Sequence, residues 1–148
     1  IPGIMSPDSN PTSGGSMIST NDAIRLKAVN HVTYNCTDKD RALRFWEDVL
    51  GIKQIPKQVN VEHLYWLQIP SGTMVHLIEH ADGPSAPSHH AAFEVDDIEA
   101  AQKQLREDKG IETTDISTRN DGQRAFYLND TEGNRIEICT KSGFGVLV

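Results

Sequence analysis

Two pairs of potential metal ligands lie at matching positions in the two halves of the chain. His31 lies 59 positions before His90, and His76 lies 61 positions before Glu137. The same two offsets also align Asp38 with Asp97, Gly51 with Gly110, residues 65–67 with 126–128, and Gly72 with Gly133. Because these matches keep their order and an almost constant spacing, they indicate an internal repeat whose second copy has a slightly longer loop.

Three imidazoles and one carboxylate form a ligand set for a divalent transition metal. Such a set suits Zn, Ni, Co or Fe(II), whereas Ca and Mg prefer oxygen ligands. A single histidine on a strand is more often a hydrogen-bonded residue than a ligand, but the repeat favours His31, His90 and Glu137 as ligands. His76 is either a fourth ligand or a wall of the cleft.

Each repeat is predicted to form a βαβββ unit, the first over residues 27–82 and the second over 86–141. Alternating apolar and polar residues predict the strands, and apolar residues at helical spacing predict one helix after each first strand. Thr37 and Asp96 stand where helix caps are expected, and Gly51 and Gly110 end the helices. The predicted strands lie near residues 28–36, 53–58, 62–69, 72–79, 90–95, 112–117, 124–129 and 134–140.

The alternation of strand side chains places the candidate ligands on one face of each sheet. His31, His90 and Glu137 lie opposite the apolar faces that meet the helices, and His76 lies at the position equivalent to Glu137. We therefore predict an α+β fold in which two βαβββ repeats form a curled mixed sheet around a metal-binding cleft. The four side chains converge if the sheets curl in this way.

Composition excludes several classes of protein. The 148 residues suit one domain or two half-size repeats, and no apolar run is long enough to cross a bilayer. The net charge of -7 would repel nucleic acid. Cys36 and Cys139 form no CxxC motif and are predicted to be reduced thiols in a cytoplasmic protein. Residues 1–26 are predicted to be a flexible tail, and 142–148 a C-terminal tail.

Four segments carry a resemblance to a known superfamily: residues 29–34, 42–52, 89–98 and 126–137. With them the chain resembles the vicinal oxygen chelate superfamily, which includes glyoxalases, bleomycin-resistance proteins, extradiol dioxygenases and methylmalonyl-CoA epimerases. The resemblance implies metal ligands at His31, His76, His90 and Glu137. The His-x-Ala-Phe spacing selects His90 over His89. It also implies a small-molecule substrate and a homodimer.

The leading functional hypothesis is a metal-dependent, glyoxalase-like lyase or isomerase, similar to lactoylglutathione lyase. It would act through a metal-chelated enediolate, with Glu137 as ligand and general base. Two alternatives remain: an extradiol-type mononuclear Fe(II) dioxygenase using His31, His90 and Glu137, and a non-enzymatic small-molecule binding or resistance protein. His76 replaces a carboxylate usual in bacterial glyoxalases, and residues 118–120 replace a histidine that extradiol dioxygenases use.

Overall fold

The computed structural model describes residues 28–141, so the predicted tails at 1–26 and 142–148, and residue 27 at the start of the predicted domain, lie outside the described residues. The first unit consists of β1 (His31–Cys36), α1 (Lys39–Asp48), β2 (Lys53–Ile55), β3 (Leu64–Gln68) and β4 (Met74–Glu79). The second consists of β5 (Ala91–Glu94), α2 (Ile98–Lys103), a π-helical turn (Gln104–Asp108), β6 (Ser117–Thr118), β7 (Arg124–Asn129) and β8 (Arg135–Cys139).

The two units have the same topology. The strand order is β1-β4-β3-β2 in the first sheet and β5-β8-β7-β6 in the second. In each sheet the first and last strands of the unit pair in parallel, and the other pairs are antiparallel. These features confirm the predicted α+β fold with two βαβββ repeats. The described strands form two separate four-stranded sheets and do not close into one barrel.

An aspartate caps the start of each α-helix, one residue later in the chain than the predicted cap. The side chain of Asp38 accepts a hydrogen bond from the backbone N–H of Arg41, and Asp97 does the same for Ala100. The prediction of Thr37 and Asp96 as caps was therefore wrong. The aspartates cap because their backbone is extended and their carboxylates reach the free N–H groups of the first turn. Gly51 follows α1 with φ +69°, a conformation that glycine adopts without strain.

The strand predicted near residues 112–117 is much shorter in the structure, where β6 covers only Ser117–Thr118. Side chains of the preceding helical segment hold the start of this region instead. Gln102 donates to the carbonyl of Thr114, and Arg106 donates to the carbonyls of Thr113 and Thr114. The backbone N–H of Tyr127 donates to the hydroxyl of Thr114 and not to its carbonyl, so the ladder with β7 is interrupted at this residue.

A turn of the second unit anchors the two units to each other. Glu132, between β7 and β8, accepts hydrogen bonds from the backbone and hydroxyl of Thr37 at 2.8 Å and from Arg41 at 2.7 Å. Asp130 in the same turn accepts from the indole of Trp46, which is buried on α1. Burial acts to raise the pKa of Glu132, but the bonds from Arg41 and Thr37 outweigh it and lower the pKa to about 2.

The helices between residues 28 and 141 are all too short or too polar to cross a membrane.

Candidate metal and substrate site

His31 and His76 lie side by side on the same face of the first sheet. They come from β1 and β4, which pair in parallel with Thr33 opposite His76. The two imidazole rings stack with their centroids 4.2 Å apart. Trp66, opposite His76 on β3, stacks on the other side of the His76 ring at 4.7 Å. His76 is therefore held between two aromatic rings, and its orientation is fixed.

The buried Nε2 atom of His76 has no hydrogen-bond partner. His76 is only 9% exposed, and a buried polar atom without a partner is costly in a folded protein. Burial, and then the neighbouring His31, lower the pKa of His76, so the ring favours its neutral form. A neutral imidazole with an unpartnered nitrogen is suited to bind a metal ion.

His31 is also oriented as metal-binding histidines usually are. Its Nδ1 lies 2.8 Å from the side-chain oxygen of Asn30. Since an amide oxygen only accepts, Nδ1 is assigned as the donor, and Nε2 of the neutral ring then carries a lone pair. Metal-binding histidines commonly donate their other ring nitrogen to a neighbouring group in this way. The chemistry of His31 and His76 therefore fits a transition metal.

His90 and Glu137 form the equivalent pair in the second unit. Nε2 of His90 lies 2.9 Å from Oε2 of Glu137, and Nδ1 of His90 lies 3.2 Å from the carbonyl of Pro87. The Glu137 side chain is 4% exposed and that of His90 27%. Both ring nitrogens thus face oxygen acceptors, and a proton lies between Nε2 and the carboxylate. A divalent cation that binds both atoms would replace this proton.

Arg119 and Tyr127 lie beside Glu137, and Arg135 lies against the ring of Tyr127. Nη2 of Arg119 donates to Oε1 of Glu137 at 2.6 Å and to the hydroxyl of Tyr127 at 3.2 Å. The guanidinium of Arg135 lies 4.1 Å from the centroid of the Tyr127 ring, and His90 meets that ring edge-on. The hydrogen bond from Arg119 to Glu137, together with the charge of Glu137, raises the pKa of Arg119.

The structure brings the four predicted ligands together as two pairs, not as one cluster. Each pair joins the first and last strands of one unit: His31 with His76, and His90 with Glu137. Within residues 28–141, no group of three or more histidine, cysteine, aspartate or glutamate side chains is placed to hold a metal ion. The four-ligand site remains a prediction, and within the described part of one chain its candidate ligands lie in two separate pairs.

The sequence analysis missed the contact between Arg119 and Glu137. Arg119 follows the short strand β6, in the stretch where the repeat offset changes from 59 to 61, so the internal repeat gives no signal for it. The register of β6 with β7, and of β7 with β8, brings the arginine to the face that carries Tyr127 and Glu137. The role of Asn30 beside His31 was also missed, although it is the adjacent residue.

Comparison with known proteins identifies the family. The sequence profile of the Glyoxalase/Bleomycin resistance protein/Dioxygenase superfamily matches residues 28–138, which contain both pairs. The chain belongs to this superfamily. It is 29% identical to a lactoylglutathione lyase of Haemophilus influenzae over 138 residues, which cover 78% of this chain and 96% of that protein.

Solved structures of the superfamily have the same fold. A glyoxalase family protein from Bacillus anthracis is similar with a TM-score of 0.72 and 25% identity, over 80% of this chain and 98% of the other. The oxidase ChaP-H2 is similar with a TM-score of 0.63 and 26% identity, over 80% of this chain and 99% of the other. Members of the superfamily are mostly enzymes that use divalent metals, bind small substrates and commonly form dimers.

Proposed function

We propose that this protein is a metal-dependent lyase or isomerase of the glyoxalase type. Its substrate would be a small molecule with two adjacent oxygen atoms. The observation that carries the proposal is the buried, unpartnered Nε2 of His76 beside the ring of His31. The similarity to a lactoylglutathione lyase along most of both chains supports this reaction class over others in the superfamily.

The metal would be held by His31, His76, His90 and Glu137. These three nitrogen ligands and one oxygen ligand suit Zn, Ni, Co or Fe. When bound, the metal supplies Lewis-acid stabilisation of the negative charge that develops on adjacent substrate oxygens. Asn30 would hold the ring of His31 in position through its Nδ1, and the carbonyl of Pro87 would do the same for His90.

Glu137 would be the general base that transfers a proton between two carbon atoms of the substrate. Its carboxylate is buried on β8 and has oxygen atoms directed at both His90 and Arg119. A carboxylate in this position can accept a proton from a substrate carbon next to a carbonyl group and return it to the neighbouring carbon. Tyr127, whose hydroxyl lies beside Arg119, would form the adjoining wall of the site.

The complete site would form between two copies of the chain. In a two-fold dimer the His31–His76 pair of one copy can face the His90–Glu137 pair of the other, and the symmetry then creates two identical sites. The separation of the two pairs within the described part of one chain supports this arrangement, as does the common occurrence of dimers in the superfamily.

Metal analysis paired with an activity assay tests the proposed function. We expect about one divalent metal per chain and turnover of methylglyoxal with glutathione that a chelator abolishes and added metal restores. Binding of a small molecule that is unchanged by a chelator, without turnover, would instead identify a binding or resistance protein. Activity in metal-stripped protein would contradict the proposed mechanism.

A second candidate is a mononuclear iron dioxygenase that uses His31, His90 and Glu137. Two histidines and one carboxylate are the ligand set of many non-haem iron oxygenases, and the similarity to the oxidase ChaP-H2 at 26% identity favours this candidate. Iron in the purified protein, together with oxygen uptake during turnover, would select it over the lyase.

The cytoplasm is the proposed location. Cys36 and Cys139 are both free and buried, and burial is the main cause that raises the pKa of each thiol, to about 12 for Cys36. Such thiols are poor nucleophiles. It is their free, unpaired state that suits the reducing compartment predicted from the sequence. Expression of the full chain with a fluorescent tag would test the location.

A further inference from the structure

Both oxygen atoms of Glu137 are already bound by side chains of the same unit. Oε2 lies 2.9 Å from His90, and Oε1 lies 2.6 Å from Nη2 of Arg119. The carboxylate is buried, whereas the Arg119 side chain is 44% exposed. A cation that replaces the proton between His90 and Oε2 would lie close to the guanidinium at Oε1 and would be repelled by it, and Arg119 is the more exposed of the two partners.

Arg119 has two further partners that would keep it at the site after it leaves Glu137. Its Nη1 donates to the side-chain oxygen of Gln123 at 2.6 Å, and its Nη2 reaches the Tyr127 hydroxyl. Arg135 lies against the ring of the same tyrosine. Two guanidinium groups therefore flank Tyr127.

A divalent cation that takes up Glu137 makes this face more positive, because one carboxylate offsets only one of the two charges of the cation. Arg119 then loses its carboxylate partner, while Arg135 stays against the ring of Tyr127. Guanidinium groups bind carboxylates through two parallel hydrogen bonds, which is a strong and directional interaction. A carboxylate on the substrate would restore the missing partner.

We propose that Arg119 is a displaceable counter-ion: it pairs with Glu137 in the metal-free protein and binds a substrate carboxylate in the metal-loaded protein, with Arg135 as the second cation. The substrate is then a small acid that carries a carboxylate in addition to its two adjacent oxygens. This inference rests on the proposed function, because it requires Glu137 to bind a metal.

Metal affinity gives a first test that does not depend on activity. We compare Co²⁺ binding by calorimetry in the wild type, Arg119→Met and the control Arg124→Met. Arg124 is also on the second sheet and also pairs with a carboxylate, that of Glu99, away from the site. We expect Arg119→Met to bind Co²⁺ about tenfold more tightly, because the competing ion pair is gone, and Arg124→Met to bind like the wild type.

A pair of hydroxamates gives the second test. Acetohydroxamate and succinate monohydroxamate chelate metals through the same two oxygens, but only the second carries a carboxylate. We expect the Co²⁺-loaded wild type and Arg124→Met to prefer succinate monohydroxamate by about tenfold. Arg119→Met should lose most of this preference. Its thermal unfolding midpoint should stay close to that of the wild type, which would show that the variant is folded.

The outcomes separate the two proposals. Weaker or equal Co²⁺ binding by Arg119→Met, or an unchanged preference between the hydroxamates, would overturn the role of Arg119 and leave the metal site intact. Failure of the wild type and of both variants to bind Co²⁺ would overturn the proposed function and this inference together.

Discussion

The imidazole rings of His31 and His76 stack 4.2 Å apart and within 13° of parallel. Two protonated rings at this distance would repel each other, and His76 is also buried against Trp66. The arrangement therefore keeps His76 neutral and its Nε2 ready for a ligand. The second unit has an acidic residue, Glu137, at the position equivalent to His76.

His76 of the metal-free protein should titrate below the ordinary histidine pKa of 6.5, because burial and His31 both disfavour its charged form. Below pH 6.5 the unfolded chain then binds the proton more readily than the folded chain, so this residue destabilises the fold as the pH falls. Proton NMR of the ring measures the pKa. His31→Ala should raise it, whereas a change at the exposed His63 should leave it unaltered.

Replacement of His76 by alanine should lower metal affinity by about tenfold to a hundredfold and leave the site able to bind, since three ligands remain. Calorimetric titration with Co²⁺ or Zn²⁺ measures the change. His80→Ala is the control because its ring lies near Asp82 and outside both pairs. An unchanged affinity in His76→Ala would make His76 a wall of the cleft and favour the three-ligand iron site.

Glu137→Gln should retain metal at reduced affinity and lose about two to four orders of magnitude in turnover. The amide keeps the size and an oxygen ligand but cannot accept the proton. Metal content and turnover are measured in the same preparation, so that loss of metal and loss of the base are separated. Full turnover with metal bound would show that another group is the base.

Mixing two inactive variants should restore activity if the site forms between copies. One variant, His31→Ala with His76→Ala, lacks the first pair, and the other, His90→Ala with Glu137→Gln, lacks the second. A mixed dimer has one intact site, so random exchange should give about a quarter of wild-type turnover. No recovery, in mixtures shown to contain mixed dimers, would indicate a site built within one chain.

Glu132→Gln should destabilise the fold by about 1–3 kcal/mol, because the buried carboxylate accepts charge-assisted bonds from Arg41 and hydrogen bonds from Thr37. Since the folded pKa is about 2 and the ordinary value 4.5, its contribution is full above pH 4.5 and is lost as the pH falls towards 2. Urea unfolding measured across this range is the test. Glu107→Gln removes an exposed carboxylate and should change stability by less than about 0.5 kcal/mol.

The sequence alone determined the two-unit architecture and the strand face on which each candidate ligand lies. Strand alternation is a local property, so it places His31 and Glu137 opposite the apolar sides of their strands without reference to the rest of the chain. The same alternation places His90, and the repeat offset extended the assignment to His76. Helix starts were predicted to within one residue. The remaining error arose because Thr37 and Asp96, directly before the true caps Asp38 and Asp97, are also residue types that can cap a helix.

Only the tertiary structure decided which of these residues meet. His31 contacts His76 because β1 pairs with β4, and Arg119 reaches Glu137 across the registers of β6, β7 and β8. Strand order and register depend on how the helices and loops pack, which involves residues far apart in sequence. The alternation therefore fixes the face on which a side chain lies, whereas the packing of whole strands fixes its neighbours.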